Sequence, residues 1–219
     1  MCRPARLTGR ASEAFPEPDK TMNSTARTLG AATVTALVAA CATFPPAGTP
    51  LAPGQEAFWT AIRVHCGRAY EGRVAVSTGS AGDTAMAGKR LVMHVRECSS
   101  NEIRIPFHVG DDRSRTWVLT RTAMGIRLKH DHRHEDGTPD AITQYGGDTR
   151  GSGSATSQSF PADAHTVSLN PVYGTNVWTM EIEPDRFVYE LIRVGTDRRF
   201  RVEFDLTRAV PAPPAPWGS

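Results

Sequence analysis

From about residue 70 onward the chain repeats one pattern: apolar and polar residues alternate with a period of two, in run after run. Val74 and Val76 alternate with Arg73 and Ser77, and Leu91, Met93 and Val95 with Val92, His94 and Arg96. Ile103, Ile105, Phe107 and Val109 alternate with Glu102, Arg104 and His108, while Trp117 and Leu119 lie in the run from Thr116 to Arg121. Ile126 and Leu128 alternate with Arg127 and Lys129. The same pattern carries Trp178, Met180 and Ile182, then Phe187, Tyr189 and Leu191, then Phe200, Val202, Phe204 and Leu206. On an extended strand, successive side chains leave opposite faces, so each run puts one face in a core and the other in water. Turn-forming residues separate the runs, at Gly79 to Gly88, Gly110-Asp111-Asp112, Asp136-Gly137, Pro184-Asp185 and Gly195-Thr196-Asp197. The stretch from Gly146 to Ser159, crowded with Gly, Ser and Thr, reads as a loop.

One helix precedes the strands. Ala57, Phe58, Ala61, Ile62 and His65 recur at helical spacing from Gln55, and Gly67 stands where a helix stops. Eight or more short strands after a single N-terminal helix predict a mainly β domain. Two architectures satisfy the pattern: one antiparallel meander β-barrel, lipocalin-like in outline, or a two-sheet sandwich. Closure into a barrel would remove the exposed strand edges that invite association.

The N-terminal part has a different character. Met22 to Arg27 carries one positive charge, and Leu29 to Ala40 is uncharged and rich in Ala, Val, Leu and Thr. That run is shorter than the ~20 residues a membrane-spanning helix needs, and it suits the apolar part of a signal peptide. It ends in Leu37-Val38-Ala39-Ala40-Cys41, small residues followed by cysteine. This resembles the lipobox of bacterial lipoproteins. The resemblance implies cleavage before Cys41, acylation of that cysteine and attachment to a membrane through the lipid anchor. In that class, Ala42 in place of Asp implies sorting to the outer membrane, on its periplasmic face. The organisation expected is therefore an over-called extension over 1–21, a signal peptide over 22–40 and a Pro-rich tether over 41–55. A β-rich domain follows over 56–209, with a Pro-rich tail over 210–219.

Cysteine usage and charge narrow the class further. Cys2 precedes Met22 and Cys41 is assigned to the lipid, which leaves Cys66 and Cys98 to pair in an oxidising compartment; two separate buried thiols are the alternative. Five of the Lys and Arg residues and three of the acids lie before Cys41, so the remainder carries twenty of each. A neutral body argues against nucleic acid as partner, because that needs a net basic surface.

The densest polar cluster is His130-Asp131-His132-Arg133-His134-Glu135-Asp136. If the strand from Ile126 continues, His130, His132 and His134 share a face. Alternate imidazoles on one strand leave the backbone about 7 Å apart, close enough to share a cation such as zinc. Further ligands would come from His94, His108, His165, Asp140 or Asp163, with Asp131 or Glu135 orienting the rings. The competing reading is a solvated strand end running into the Asp136-Gly137 turn. The cluster is also similar to the His-x-His-x-Asp-His motif of metallo-β-lactamase-type hydrolases. It departs from that motif at His134, where the family has Asp, and no alternating strand–helix pattern follows. Gly-x-Ser-x-Gly, His-Glu-x-x-His and phosphate-cradling glycine loops are not found in the sequence. Arg115, beside Trp117, and Tyr145, before Gly146-Gly147, are candidate ligand contacts. The expectation is a non-enzymatic, lipid-anchored domain that binds a small or lipid-like molecule, or an envelope protein partner. The rival is a metal-binding protein or metal-dependent hydrolase built on His130, His132 and His134.

Overall fold

The alternating runs become strands, and their order follows the chain. The computed structural model describes residues 48–78, 86 and 88–219. The extension, the signal segment, Cys41 and most of the Gly79–Gly88 turn lie outside the described residues. Helix α1 spans Pro53–Arg63. Strands β1 (Ala69–Thr78), β2 (Leu91–His94), β3 (Glu97–Cys98), β4 (Glu102–Val109), β5 (Asp112–Thr122), β6 (Gly125–His132) and β7 (Tyr145–Asp148) follow. After β8 (Ser157–Pro161) come a short helix α2 (Ala164–Leu169) and a 3-10 turn (Pro171–Thr175). Strands β9 (Asn176–Ile182), β10 (Arg186–Arg193) and β11 (Arg199–Val210) end the fold.

The strands form one sheet in the order β7-β6-β5-β4-β2-β1-β11-β10-β9-β8, with β3 paired to β4. Every pairing is antiparallel and joins chain neighbours, except that β2 pairs β4 past the short β3 and that β1 and β11 join the two halves, from Ala69↔Val210 to Thr78↔Arg199. This is the meander that the alternation predicts, and it resolves the choice between barrel and sandwich: the sheet curls into a nearly closed barrel.

The first and last strands of that order, β7 and β8, meet without a ladder. The backbone of Gly146 ties β7 to the segment after β8 instead: Asp163 N donates to Gly146 O at 2.9 Å, and Gly146 N donates to Thr166 Oγ1 at 2.7 Å. A Cβ built on Gly147 would lie 1.8 Å from Pro161 O, so only glycine lets the backbones approach this closely. Here the sequence reading needs correction. The Gly- and Ser-rich stretch taken as a loop supplies β7 and β8, and α2 is a second helix, capped by Asp163, whose carboxylate accepts from Thr166 N at 2.9 Å.

Inside, the inward residues of both halves form one core, including Ile105, Leu119, Leu128, Met180, Phe187 and Val202. Helix α1 closes one end. Its Phe58, Trp59 and Ile62 are buried, and Glu56 holds Arg121, at the end of β5, by two bonds of 2.6 and 2.7 Å. The Arg121 guanidinium lies 4.7 Å from the centre of the Trp59 ring. Gln55 donates to Thr149 Oγ1 and Gly151 O, both at 2.8 Å, and so ties the helix to the segment after β7. The helix begins at Pro53, inside the stretch assigned to the tether. Proline suits a first helical turn, where its missing N–H leaves nothing unpaired. Residues 53–55 therefore belong to the fold. The expected Cys66–Cys98 disulfide is present across a sequence separation of 32; closing a loop of that size stabilises a fold by roughly 3–4 kcal/mol on the chain-entropy model. The Pro-rich tail is irregular, as expected, yet pinned: Trp217 N donates to Arg113 O at 3.1 Å.

A methyl group at Gly147 forces the β7–β8 seam apart. Gly147→Ala is expected to lower unfolding stability by about 2–3 kcal/mol, read from urea denaturation of the full chain.

Candidate functional site

The two ends of the barrel differ because of what continues the inward parity on each strand. On β5 the inward set runs Arg115, Trp117, Leu119, Arg121, apolar in the middle and basic at both ends. Arg121 is used at the helix end. At the other end, opposite α1, Arg115 meets the inward residues of the neighbouring strands. They are His130 and His132 of β6, Tyr145 of β7, Asn176 and Trp178 of β9, Tyr189, Leu191 and Arg193 of β10, and Phe200 of β11. Together with Phe107 and Thr116 they line an open cavity of about 620 Å³. Met86, Asp140, Ile142, Tyr173 and Arg198 complete its wall. That volume falls within the range of about 300–1,000 Å³ typical of small-molecule sites.

The wall is stacked and cross-bonded. Trp117 lies against Tyr189, with ring centres 4.5 Å apart, and against Phe107 at 4.9 Å. His130 stacks on Tyr145 at 4.4 Å. His130 Nδ1 is 3.0 Å from Tyr145 O. A carbonyl only accepts, so Nδ1 carries the proton and Nε2 is left to accept from the Tyr189 hydroxyl, 2.7 Å away. The Tyr145 hydroxyl reaches His132 Nε2 at 2.9 Å. The backbone that presents Tyr145 is unusual: Gln144, just before it, sits in the left-handed region with φ 57°. Its N–H donates to His130 O at 2.7 Å, which holds that conformation in place.

These imidazoles are neutral at ordinary pH. Burial drives His130 down to about 3, against the opposing pull of the Tyr145 carbonyl. Burial first, and the Arg115 charge second, bring His132 to about 4. The charge at the mouth comes instead from arginines. Arg115 is ion-paired with Asp112. Arg193 donates from Nε to Asn176 Oδ1 at 3.0 Å, and Arg198 donates to Thr78 O at 3.2 Å.

The three imidazoles expected to share a cation are not brought together. His130 and His132 line the cavity, but β6 ends at His132, where Arg133 bridges to Pro139, and exposed His134 lies in the turn beyond. Both ring nitrogens of His130 are engaged by protein groups. Among the described residues, no three His, Cys, Asp or Glu side chains gather as a metal site. The other suggested ligands are scattered. Asp163 caps α2 and pairs with Lys129, while His165 is exposed near Thr143 O. His94 and His108 stand on the polar parity of β2 and β4, away from the cavity. Asp131 is held by Arg104 at 2.9 Å and by Arg133 at 3.3 Å. Arg115 and Tyr145, the suggested ligand contacts, do line the cavity. Alternation alone places Tyr189, Trp178, Phe107 and Phe200 in the core and gives Arg193, Arg198, Asn176 and Tyr173 no role. For Arg193 the signal was present, since it continues the inward parity of Phe187, Tyr189 and Leu191 to the strand end.

No family model, curated protein or solved structure matches the chain. Among the described residues, no helix is long and apolar enough to cross a membrane.

The buried histidines set an acid limit on the fold. The pKa values of His108 and His132, both about 4, and of His130, about 3, lie below the ordinary 6.5. The unfolded chain therefore takes up protons first. The contribution is whole above about pH 6.5 and is lost as pH falls from there towards 4. Carboxylates with lowered pKa values, such as Glu56, weaken the fold only below about pH 4.5. The melting temperature is expected to fall between pH 7 and pH 5. His108→Leu, which removes a buried Nε2 without a partner, should flatten that slope in calorimetry.

Proposed function

We propose that the chain is a lipid-anchored, non-enzymatic protein of the bacterial envelope whose barrel takes up a small amphipathic molecule through its open end. The observation that carries the reading is the cavity of about 620 Å³ walled by Trp117, Trp178, Tyr189 and Phe200. Rigid aromatic walls with a few polar groups near the mouth are how proteins commonly hold small organic ligands. The side chains of His130, His132, Tyr145 and Tyr189 bond to one another or to backbone, and His130 is held neutral with its proton on Nδ1. That arrangement suits holding a molecule better than transferring protons at neutral pH. The lipobox supports the address: Cys41 acylated, with Ala42 directing the protein to the outer membrane, periplasmic face.

Two measurements test this. The neutral probe N-phenyl-1-naphthylamine should bind the full chain saturably, with enhanced fluorescence. Leu191→Trp, which fills part of the cavity, should weaken that binding about tenfold or more. Absence of saturable binding would overturn the ligand reading. For the anchor, Cys41→Ser should move the protein from the membrane fraction to the soluble one and abolish labelling by radioactive palmitate. Persistent membrane attachment of that variant would overturn the lipoprotein reading.

A further inference from the structure

We infer that the molecule held in the barrel is an organic monoanion, a carboxylate or sulfonate on an apolar body, with its charged group on Arg193. This rests on the ligand-binding reading and adds the chemical class. The first observation is charge. Among the described residues, the cavity lining holds Arg115, Arg193 and Arg198 against one carboxylate, that of Asp140, and its two histidines are uncharged. Asp112 pairs with Arg115, so among the described residues the wall cation that no carboxylate answers is Arg193.

The second observation is the state of Arg193. It stands at the inward end of β10, half-buried, with its guanidinium carbon 5.8 Å from the Tyr173 ring centre. Its Nε donates to the neutral amide oxygen of Asn176 at 3.0 Å, and Asn176 is itself buried. That bond fixes the plane of the guanidinium. Among the described residues no carboxylate lies within ion-pair distance of it, and the terminal nitrogens have no protein partner. Other arginines of the sheet do have carboxylates: Arg201 with Glu181 and Glu203, Arg127 with Asp148, Arg73 with Glu203. A planar fork, oriented by one neutral bond and open on its two outer donors, matches a carboxylate or sulfonate bidentately. An anion bound there would send its apolar body down between Leu191, Tyr189 and Trp178.

One matched pair of probes isolates the charge. 1-Anilinonaphthalene-8-sulfonate has the body of N-phenyl-1-naphthylamine plus a sulfonate. With the full chain, the sulfonate should bind about tenfold more tightly than the neutral probe. In Arg193→Gln the ratio of the two affinities should collapse towards one, and in Arg193→Lys it should be partly restored. High salt should lower the ratio in the unmodified chain, a readout that does not depend on the variants folding. Equal or tighter binding of the neutral probe, or a ratio unmoved by Arg193→Gln, overturns the inference while leaving the ligand reading intact. Failure of both probes to bind overturns that reading itself. Competition of the bound sulfonate by dodecanoate or by 1-naphthoate then identifies the body as acyl or aromatic. Competition by neither, beside competition by neutral dodecanol, also counts against an anion.

Discussion

The two ends of the sheet are held together at one residue, Gly146, whose carbonyl and N–H both bond to the segment that follows β8. At the β7–β8 seam no ladder forms; the Gly146 carbonyl accepts from Asp163 N while the Gly146 N–H donates to Thr166 Oγ1. The Thr166 side chain, wholly buried, is also 2.8 Å from Gly146 O. The arrangement replaces two strand-to-strand bonds with bonds through α2, and it requires that Gly147 carry no side chain. An open sheet would expose two edges and split its core. With the seam shut, inward residues that are far apart in the chain, such as Leu128 and Met180, belong to one core.

Closure makes a tube, and the two ends of a tube must be handled separately. The Glu56–Arg121–Trp59 group handles one of them. An arginine facing into a barrel is costly unless its charge is met. Arg121 is met by a carboxylate from α1 and by the face of an indole from the same helix, so the inward charge becomes the helix's anchor. The same β5 parity puts Arg115 at the other end, where no helix of the described residues covers it and Asp112, on its own strand, is its partner. One strand thus carries the seal and the opening, and the difference between them is whether a second element arrives to cover the basic end.

Much of this is legible in the sequence, and each miss has its own physical cause. Alternation exposes strands whose inward residues are large and apolar, so β4, β5, β6 and β9 to β11 were readable, as were the meander and the Cys66–Cys98 bond. It is silent where inward positions are glycine or serine, so β7, with Gly146 and Gly147, and β8 were taken as a loop. Those glycines are present because the backbones nearly touch, a reason that exists only in three dimensions. The histidine cluster shows the opposite error. Parity was followed past His132 to His134, but the Arg133–Pro139 bridge bends the chain and the third ring leaves the face. Arg193 was overlooked because polar residues at strand ends are usually solvated. What marks it as different is Asn176, its partner on β9, which no sequence spacing reveals.

The wall of the cavity bears on what such a site can discriminate. The bonds of His130 to Tyr145 O and Tyr189, and of His132 to Tyr145, engage polar groups that would otherwise need water or ligand. Mutual stacking along Phe107, Trp117 and Tyr189 fixes the rings before anything binds, so little ordering entropy remains to oppose binding. A wall of this kind selects by shape and apolar area, and in a hydrophobic pocket one methylene more or less changes affinity only about ten- to two-hundredfold. Sharper choice needs a polar group whose neglect is costly, and Arg193 has two donors without a protein partner among the described residues. The aromatic wall and the arginine fork therefore divide the work: the first sets how tightly an apolar body is held, and the second decides which bodies are accepted.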